Sequence, residues 1–235
     1  MFQRVAALVL MLCTVLLQAA CATAPSPQPA VFPVPDAVSS PEWAADMQRF
    51  AAEDLLAPPP RHPVVFTGSS SIRLWDTLAA DFPDRPVLNR GFGGSQLRDA
   101  FHYAETIAIR YRPRQIVLYS GENDLAAGRT PQQVLADFRA VVARLRRDLP
   151  DVPIAFISFK PSPARAHLLD MQRTANALIR KEAANMDRVA YVDIFTPMLG
   201  VTGQPRAELF GEDRLHMNRA GYLLWRKIIA PYLLP

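Results

Sequence analysis

The sequence contains little cysteine, no long hydrophobic run and no concentrated block of basic residues. Only 2 of its 235 residues are cysteines, Cys13 and Cys21, which excludes a disulfide-stapled scaffold. The 26 basic and 22 acidic side chains are spread along the chain. Since nucleic-acid binding usually needs a basic patch, we expect no nucleic-acid partner. Hydrophobic residues make up 50% of the chain, which excludes general disorder and is ample for one domain of moderate size.

Motifs for metals and nucleotides are also missing. The sequence has no H-E-x-x-H motif and no Cys–His cluster with metal-ligand spacing. The glycine-rich segment Gly91–Gly94 lacks the last glycine of a dinucleotide fingerprint, because Gln96 stands in its place, and no Walker lysine follows any glycine loop. We therefore predict that the protein uses no metal and no cofactor.

The first residues have the pattern of an export signal. Arg4 is the only charged residue before Asp36, and it precedes the thirteen-residue uncharged run Val5–Leu17. A membrane-spanning helix needs about 20 apolar residues, so this run is short for one. A positive start followed by a short apolar core is typical of a secretory signal peptide, which we predict over residues 1–20. The alternative is a buried N-terminal helix.

Cys21, directly after this segment, resembles the lipidated cysteine of bacterial lipoproteins. Small residues precede it, although Gln18 stands where the lipoprotein motif usually has leucine. The resemblance implies a lipid anchor at Cys21, with Ala22 directing the protein to the outer membrane, where it faces the periplasm. The alternative is ordinary signal cleavage, which yields a soluble periplasmic or secreted protein. Residues 21–41 include six prolines and are predicted to form an extended tether.

Residues 42–235 are predicted to form one α/β domain. Nearly continuous short apolar runs alternate with helical segments, which is typical of a parallel sheet covered on both faces. We predict a single-domain α/β/α sandwich with a five-stranded parallel sheet. The predicted strands are Val64–Thr67, Pro86–Asn89, Gln115–Tyr119, Ile154–Ser158 and Val189–Asp193. The predicted helices are Glu42–Leu56, Ile72–Phe82, Gln96–Arg112, Pro131–Leu149, Ala164–Ala184 and Asn218–Leu234.

Four segments of this domain carry residues suited to acyl transfer. In doubly wound sheets, ligands bind beyond the carboxyl ends of the strands. Three serines follow Gly68 there and lead into a helix N-terminus, and the segments 91–94 and 121–124 offer backbone N–H groups and a side-chain amide. Asp213 and His216 are spaced to meet across one turn. Each segment alone is more typical of a cap or a turn. Together they supply a nucleophile, oxyanion donors and an acid–base pair.

In this order, the four segments resemble the sequence blocks of the SGNH hydrolases, the GDSL-type esterase and lipase superfamily. The first block, Gly68-Ser-Ser-Ser-Ile-Arg-Leu-Trp75, is nearest to the bacterial branch that resembles platelet-activating-factor acetylhydrolase catalytic subunits. The resemblance implies a flavodoxin-like fold. Ser69 replaces the aspartate of the name-giving Gly-Asp-Ser, a departure that concerns the subfamily and the local turn more than catalysis.

The resemblance also implies the site residues. Ser70 matches the nucleophile, with Asp213 and His216 as the other members of the triad. The backbone N–H groups of Ser70 and Gly94 and the side-chain amide of Asn123 match the oxyanion hole.

These observations predict an exported serine esterase that works through an acyl-Ser70 intermediate. The expected substrate is a small acyl ester, an acetylated carbohydrate or a lysophospholipid, and the expected membrane contact is the lipid anchor. The loop at residues 159–163 and Trp75 are expected to shape the pocket. Two alternatives stay open: an envelope O-acyltransferase that uses the same triad, and a non-catalytic lipoprotein that binds an acylated polymer.

Overall fold

The computed structural model describes residues 34–235, so the predicted signal, Cys21 and most of the predicted tether lie outside the described residues. Five strands form its sheet: β1 (Val64–Gly68), β2 (Val87–Gly91), β3 (Gln115–Tyr119), β4 (Ile154–Ile157) and β5 (Val189–Val192). All neighbouring pairs are parallel, and the strand order is β2-β1-β3-β4-β5. The winding therefore reverses beside β1, which makes this a doubly wound sheet. The predicted five-stranded α/β fold is confirmed.

The α-helices of the described part are α1 (Trp43–Leu56), α2 (Ser70–Arg73), α3 (Leu78–Asp81), α4 (Leu97–His102), α5 (Ala104–Ile107), α6 (Glu122–Ala126), α7 (Pro131–Asp148), α8 (Leu169–Ala183) and α9 (Arg219–Ile229). Short 3₁₀ helices cover Ile109–Tyr111, Pro163–Leu168, Thr196–Met198, Ala207–Leu209 and Ala230–Tyr232. Within residues 34–235, no helix combines the length and the apolar character needed to cross a membrane.

Two hydrophobic layers enclose the sheet. On one face, Val65, Ile116 and Phe156 pack into a core with α1, α4, α5, α7 and α8. On the other face, side chains such as Phe66 and Val117 pack with α2, α3 and α9. Successive side chains of a strand point to opposite faces. Because both faces are buried, the strands have nearly continuous apolar sequences, which is why their positions were predictable.

The prediction of one continuous helix over Ile72–Phe82 is wrong, because the chain forms the two short helices α2 and α3 there. The side-chain amide of Asn89, on β2, donates to the carbonyl oxygen of Ile72 at 2.7 Å, and Trp75 turns into the core with 1% of its surface exposed. The indole N–H of Trp75 donates to Asp81 Oδ2 at 2.7 Å. Tertiary contacts thus replace the hydrogen bonds of a longer helix.

Three other predicted helices and one predicted turn differ from the structure in their bounds. The segment Gln96–Arg112 is divided into α4, α5 and a 3₁₀ turn, and the start of Ala164–Ala184 is a 3₁₀ helix that begins at Pro163. The predicted turn at residues 121–124 is largely the first turn of α6. The helix predicted to run to Leu234 ends at Ile229, and a 3₁₀ turn that contains Pro231 follows.

Candidate active site

Ser70 stands at the carboxyl end of β1, where the backbone makes a turn that requires glycine. Gly68 has φ +127°, and a Cβ atom there would lie 1.8 Å from the carbonyl oxygen of Tyr119 on the neighbouring strand. The N–H of Ser69 donates to that same oxygen at 2.9 Å. The chain then enters α2, whose first residue is Ser70. The N–H of a first helical residue has no acceptor within its helix and is available to an anion.

A tight turn near the carboxyl end brings Asp213 against His216. The Nδ1 atom of His216 lies 2.5 Å from Asp213 Oδ2, and Asp213 Oδ1 accepts the backbone N–H groups of Leu215 and His216 at 3.0 and 2.9 Å. Burial acts to raise the pKa of Asp213, but these hydrogen bonds lower it to about 2. The carboxylate is therefore ionised at neutral pH and can only accept hydrogen bonds.

His216 connects this carboxylate to Ser70. Because Asp213 accepts at Nδ1, that nitrogen carries the proton of a neutral imidazole, and Nε2 is left as an acceptor. Nε2 lies 2.9 Å from the Oγ atom of Ser70, a residue 146 positions away in the sequence. The hydroxyl of Ser70 thus donates to a ring nitrogen that is held in the correct tautomer to take its proton.

Gly94 and Asn123 line the same cleft as Ser70 and His216. Gly94 has φ +81°, and a Cβ atom there would lie 3.0 Å from Cη2 of Trp43. Asn123, on the first turn of α6, donates from Nδ2 to the carbonyl oxygen of Ser95 at 2.9 Å. An amide nitrogen carries two hydrogens, so one hydrogen of Asn123 is left for a group in the cleft.

A buried charged cluster supports Asn123. Glu122, 3% exposed, accepts hydrogen bonds from Lys160 Nζ at 2.7 Å, Arg165 Nη1 at 2.9 Å and the hydroxyl of Tyr119. Burial acts to raise the pKa of Glu122, but the charges of Lys160 and Arg165 outweigh it and lower that pKa. The second guanidinium nitrogen of Arg165 donates to Asn123 Oδ1 at 3.0 Å. The cluster thus holds the Asn123 amide in one orientation.

The structure brings all five residues that were predicted for the triad and the oxyanion hole into one small region. Ser70, His216, Gly94 and Asn123 line a cleft of about 400 Å³, and Asp213 lies behind His216. Six further residues line this cleft and were not predicted: Trp43, Asp46, Arg73, Gly93, Arg165 and Leu215. Trp43 and Asp46 share one face of a predicted helix, but no sequence signal linked that helix to Ser70.

Two expectations about the pocket are wrong. Trp75 is a core residue that lines a neighbouring cavity, and it does not line the cleft of Ser70. The loop at residues 159–163 contributes Lys160 to the cluster beneath Asn123, but none of its residues lines the cleft.

Comparisons with known proteins agree with this fold. A model of the GDSL-like lipase/acylhydrolase family matches residues 63–224. The chain is similar to a solved structure from Streptococcus pneumonia whose name refers to platelet activating factor, with 20% identity, a TM-score of 0.74 and coverage of 82% of this chain and 93% of that chain. It is also similar to a GDSL-like lipase from Bacteroides thetaiotaomicron, with 20% identity, a TM-score of 0.67 and coverage of 80% and 97%.

A carbohydrate esterase of family 3 from Talaromyces cellulolyticus matches with 14% identity, a TM-score of 0.59 and coverage of 72% of this chain and 94% of that chain. At these identities the structural likeness shows the fold. No curated protein sequence matches the chain.

Proposed function

Since the chain belongs to the GDSL-like lipase/acylhydrolase family and is a hydrolase of ester bonds, we propose a mechanism for it. The Ser70 hydroxyl attacks the carbonyl carbon of a carboxylic ester. The hydrogen-bonded series Ser70–His216–Asp213 carries this proposal. His216 takes the proton of Ser70 at Nε2 while the new bond to the carbonyl carbon forms. Asp213 stabilises the resulting imidazolium and keeps its orientation.

The oxyanion of the tetrahedral intermediate is held by three donors: the N–H groups of Ser70 and Gly94 and the free Nδ2 hydrogen of Asn123. Such donors typically contribute about 3 kcal/mol each to transition-state stabilisation, because they are already oriented before the charge develops. When the intermediate collapses, His216 returns its proton to the departing alcohol and acyl-Ser70 is left. Water, activated by the same imidazole, then releases the carboxylic acid and restores the hydroxyl of Ser70.

Replacement of Ser70 tests this mechanism. We expect Ser70→Ala to lower the hydrolysis of 4-nitrophenyl acetate by about 10⁴-fold or more and to abolish labelling by a fluorophosphonate. Ser71→Ala is the matched control, because its hydroxyl is buried and has no hydrogen-bond partner within the described residues. Near-wild-type turnover by Ser70→Ala would refute the assignment. A lack of fluorophosphonate labelling in the wild-type protein would favour the non-catalytic alternative.

The cleft favours short acyl groups. Among the described residues that line it, Trp43 and Leu215 are the only large apolar side chains, and the others are polar or glycine. A long acyl chain would gain little burial there and would displace water from charged groups. We expect kcat/KM for 4-nitrophenyl esters to fall from acetate to decanoate. A preference for decanoate would contradict this expectation.

Product analysis in the presence of glycerol separates hydrolysis from acyl transfer.

We also propose that the protein is exported and anchored through Cys21. The support is the pattern of residues 1–21 alone, in which a positive residue, a short apolar run and small residues precede the cysteine. Cys21→Ser should abolish palmitate labelling and move the protein from the membrane to the soluble envelope fraction. Cys13→Ser, within the predicted signal, is the control that should keep the label. Labelling of Cys21→Ser would contradict the proposed anchor.

A further inference from the structure

Helix α1 contributes to the active-site cleft although it lies outside the part of the chain that matches the family. The match begins at residue 63, whereas α1 covers Trp43–Leu56. Trp43 and Asp46, three residues apart on one face of this helix, both line the cleft of Ser70. The Cη2 atom of Trp43 lies against Gly94, so closely that a Cβ atom on Gly94 would be 3.0 Å away. One wall of the cleft is therefore formed by residues that precede the part of the chain that the family model matches.

Both ends of α1 are fixed to the domain. Before the helix, the N–H and the hydroxyl of Ser39 each donate to the buried carboxylate of Asp99 at 2.6 Å, and the indole N–H of Trp43 donates to Ser39 Oγ at 3.0 Å. Near its other end, Asp54 accepts a hydrogen bond from the hydroxyl of Tyr111 at 2.8 Å and forms an ion pair with Arg90. The position of Trp43 is thus set before any substrate binds.

A second cavity lies further along α1. Arg73 lines the cleft of Ser70 and also a neighbouring cavity of about 300 Å³. Arg49 and Glu53, one and two turns beyond Asp46 on α1, line this second cavity, and Asn89 lies in its wall as well. At 1.5 Å of rise per residue, Glu53 is about 15 Å along the helix from Trp43. The two cavities share Arg73 and are together called the groove below; a ligand that occupies both is longer than a simple acetyl ester.

We propose that α1 and Arg73 form a binding site for the alcohol portion of the substrate, and that this alcohol is polyhydroxylated, as in an O-acylated oligosaccharide. The inference rests on the proposed esterase function. Trp43, Asp46 and Arg73 are its specificity-determining residues. The ester carbonyl lies at Ser70, and the sugar residues extend from Trp43 past Arg73 toward Arg49 and Glu53.

The chemistry of the groove favours hydroxyl groups over a lipid. Asp46 and Glu53 accept from Arg49 at 2.9 and 2.7 Å, and their other carboxylate oxygens can still accept from a hydroxyl. Arg73 offers donors, and a hydroxyl can both donate and accept. Trp43 adds a flat apolar surface with which the apolar face of a ring can pack. A lipid chain in the same place would cover Arg73 and the ion pairs of Arg49 and would make no hydrogen bond to them.

The experiment compares kcat/KM for acetylated xylo-oligosaccharides with kcat/KM for 4-nitrophenyl acetate. We expect Trp43→Ala to lower the ratio of the two by about 10-fold or more, and Asp46→Asn and Arg73→Met to lower it in the same direction. Leu56→Ala, at the far end of α1 and 87% exposed, is the control that should leave the ratio unchanged. Circular dichroism and the melting temperature show whether each variant is folded. If Trp43→Ala does not fold, the ratio measured for Asp46→Asn provides the test, because this substitution hardly changes the shape of the side chain.

Two results would overturn the inference. One is an unchanged ratio in both Trp43→Ala and Asp46→Asn. The other is a higher kcat/KM for lysophosphatidylcholine than for the oligosaccharides in the wild-type protein. Either result leaves the esterase mechanism standing as long as hydrolysis of 4-nitrophenyl acetate depends on Ser70. Hydrolysis that persists in Ser70→Ala would instead contradict the proposed function itself.

Discussion

The Nη2 atom of Arg165 lies 3.0 Å from the Oδ1 atom of Asn123, and this contact fixes which side of the amide faces the cleft. A guanidinium group is only a donor, so the atom that it contacts must be the amide oxygen. The amide nitrogen is then the atom 2.9 Å from the carbonyl oxygen of Ser95, and its second hydrogen is available to an oxyanion. Arg165 is therefore a positioning residue for the proposed oxyanion hole.

Asn123→Ala should lower kcat by about 10²–10³-fold, because it removes a donor that acts on the oxyanion and not on the bound ester. KM should change by less than about threefold. Steady-state kinetics with 4-nitrophenyl acetate provide the measurement. A loss confined to KM would mean that Asn123 binds the substrate and does not stabilise the transition state.

Arg165→Met should lower kcat by about 10-fold while Asn123 is still present, because the freed amide can rotate away from its orientation. In an Asn123→Ala background the same change should have little further effect, since there is no amide left to orient. Arg147→Met is the control, because the Arg147 side chain is 67% exposed and on α7, outside the cleft. Equal effects of Arg165→Met in both backgrounds would rule out positioning through Asn123.

The features that were predictable are those whose signal is local in the sequence. The strands were predictable because each is a short apolar run buried on both faces, and their ends differ from the prediction by at most two residues. The residues predicted for the site are contained in four short blocks, and a sheet of parallel strands brings such blocks to one edge.

Three of the failures have a different cause, which is contact between distant parts of the chain. The break between α2 and α3 depends on Asn89, which lies 17 residues from the Ile72 carbonyl that it contacts. Arg165 is 42 residues from Asn123, and no pattern in the loop that holds it indicates the pairing. The position of Trp43 at the cleft depends on contacts such as that between Ser39 and Asp99, 60 residues apart, which hold the start of α1 in place.

Asp213→Asn should lower kcat by about 10³–10⁴-fold with the fold retained. An asparagine can present a hydrogen to Nδ1 of His216, which would leave the imidazole proton on Nε2, where it cannot accept from Ser70. Kinetics and the low-field NMR resonance of the Nδ1 proton both report this change. Asp187→Asn, at a side chain that is 95% exposed, is the control. Activity within a few-fold of wild type in Asp213→Asn would exclude the proposed orienting role.

Lys160→Met should destabilise the protein by about 3 kcal/mol, because it removes one of the two cations that compensate the buried carboxylate of Glu122. The double variant Glu122→Gln with Lys160→Met removes the charge together with its partner. We expect the double variant to be more stable than Lys160→Met alone. Urea unfolding of the wild type, of each single variant and of the double variant measures the four free energies that the comparison needs. Additive destabilisation by the two changes would show that the ion pair contributes no coupling energy.

Asp124 should make the protein less stable as the pH rises from about 4 to about 7. Its side chain is fully buried and accepts the N–H of Leu97 at 3.1 Å, and burial raises its pKa from 3.8 to about 7. Between these two values the folded protein keeps a proton that the unfolded chain releases, so the free energy of unfolding falls as the pH rises. The total effect is on the order of 4 kcal/mol.

Asp124→Asn tests this prediction, because asparagine does not titrate but can still accept the N–H of Leu97 through its oxygen. Urea unfolding at a series of pH values should give a variant whose stability, relative to wild type, increases steadily from pH 4 to pH 7. Asp84→Asn, at an exposed position, should show no such trend. A difference between Asp124→Asn and wild type that is constant over this range would mean that Asp124 is ionised in the folded protein throughout. The N–H of Leu97 would then be enough to hold a buried carboxylate charged beside Asn123.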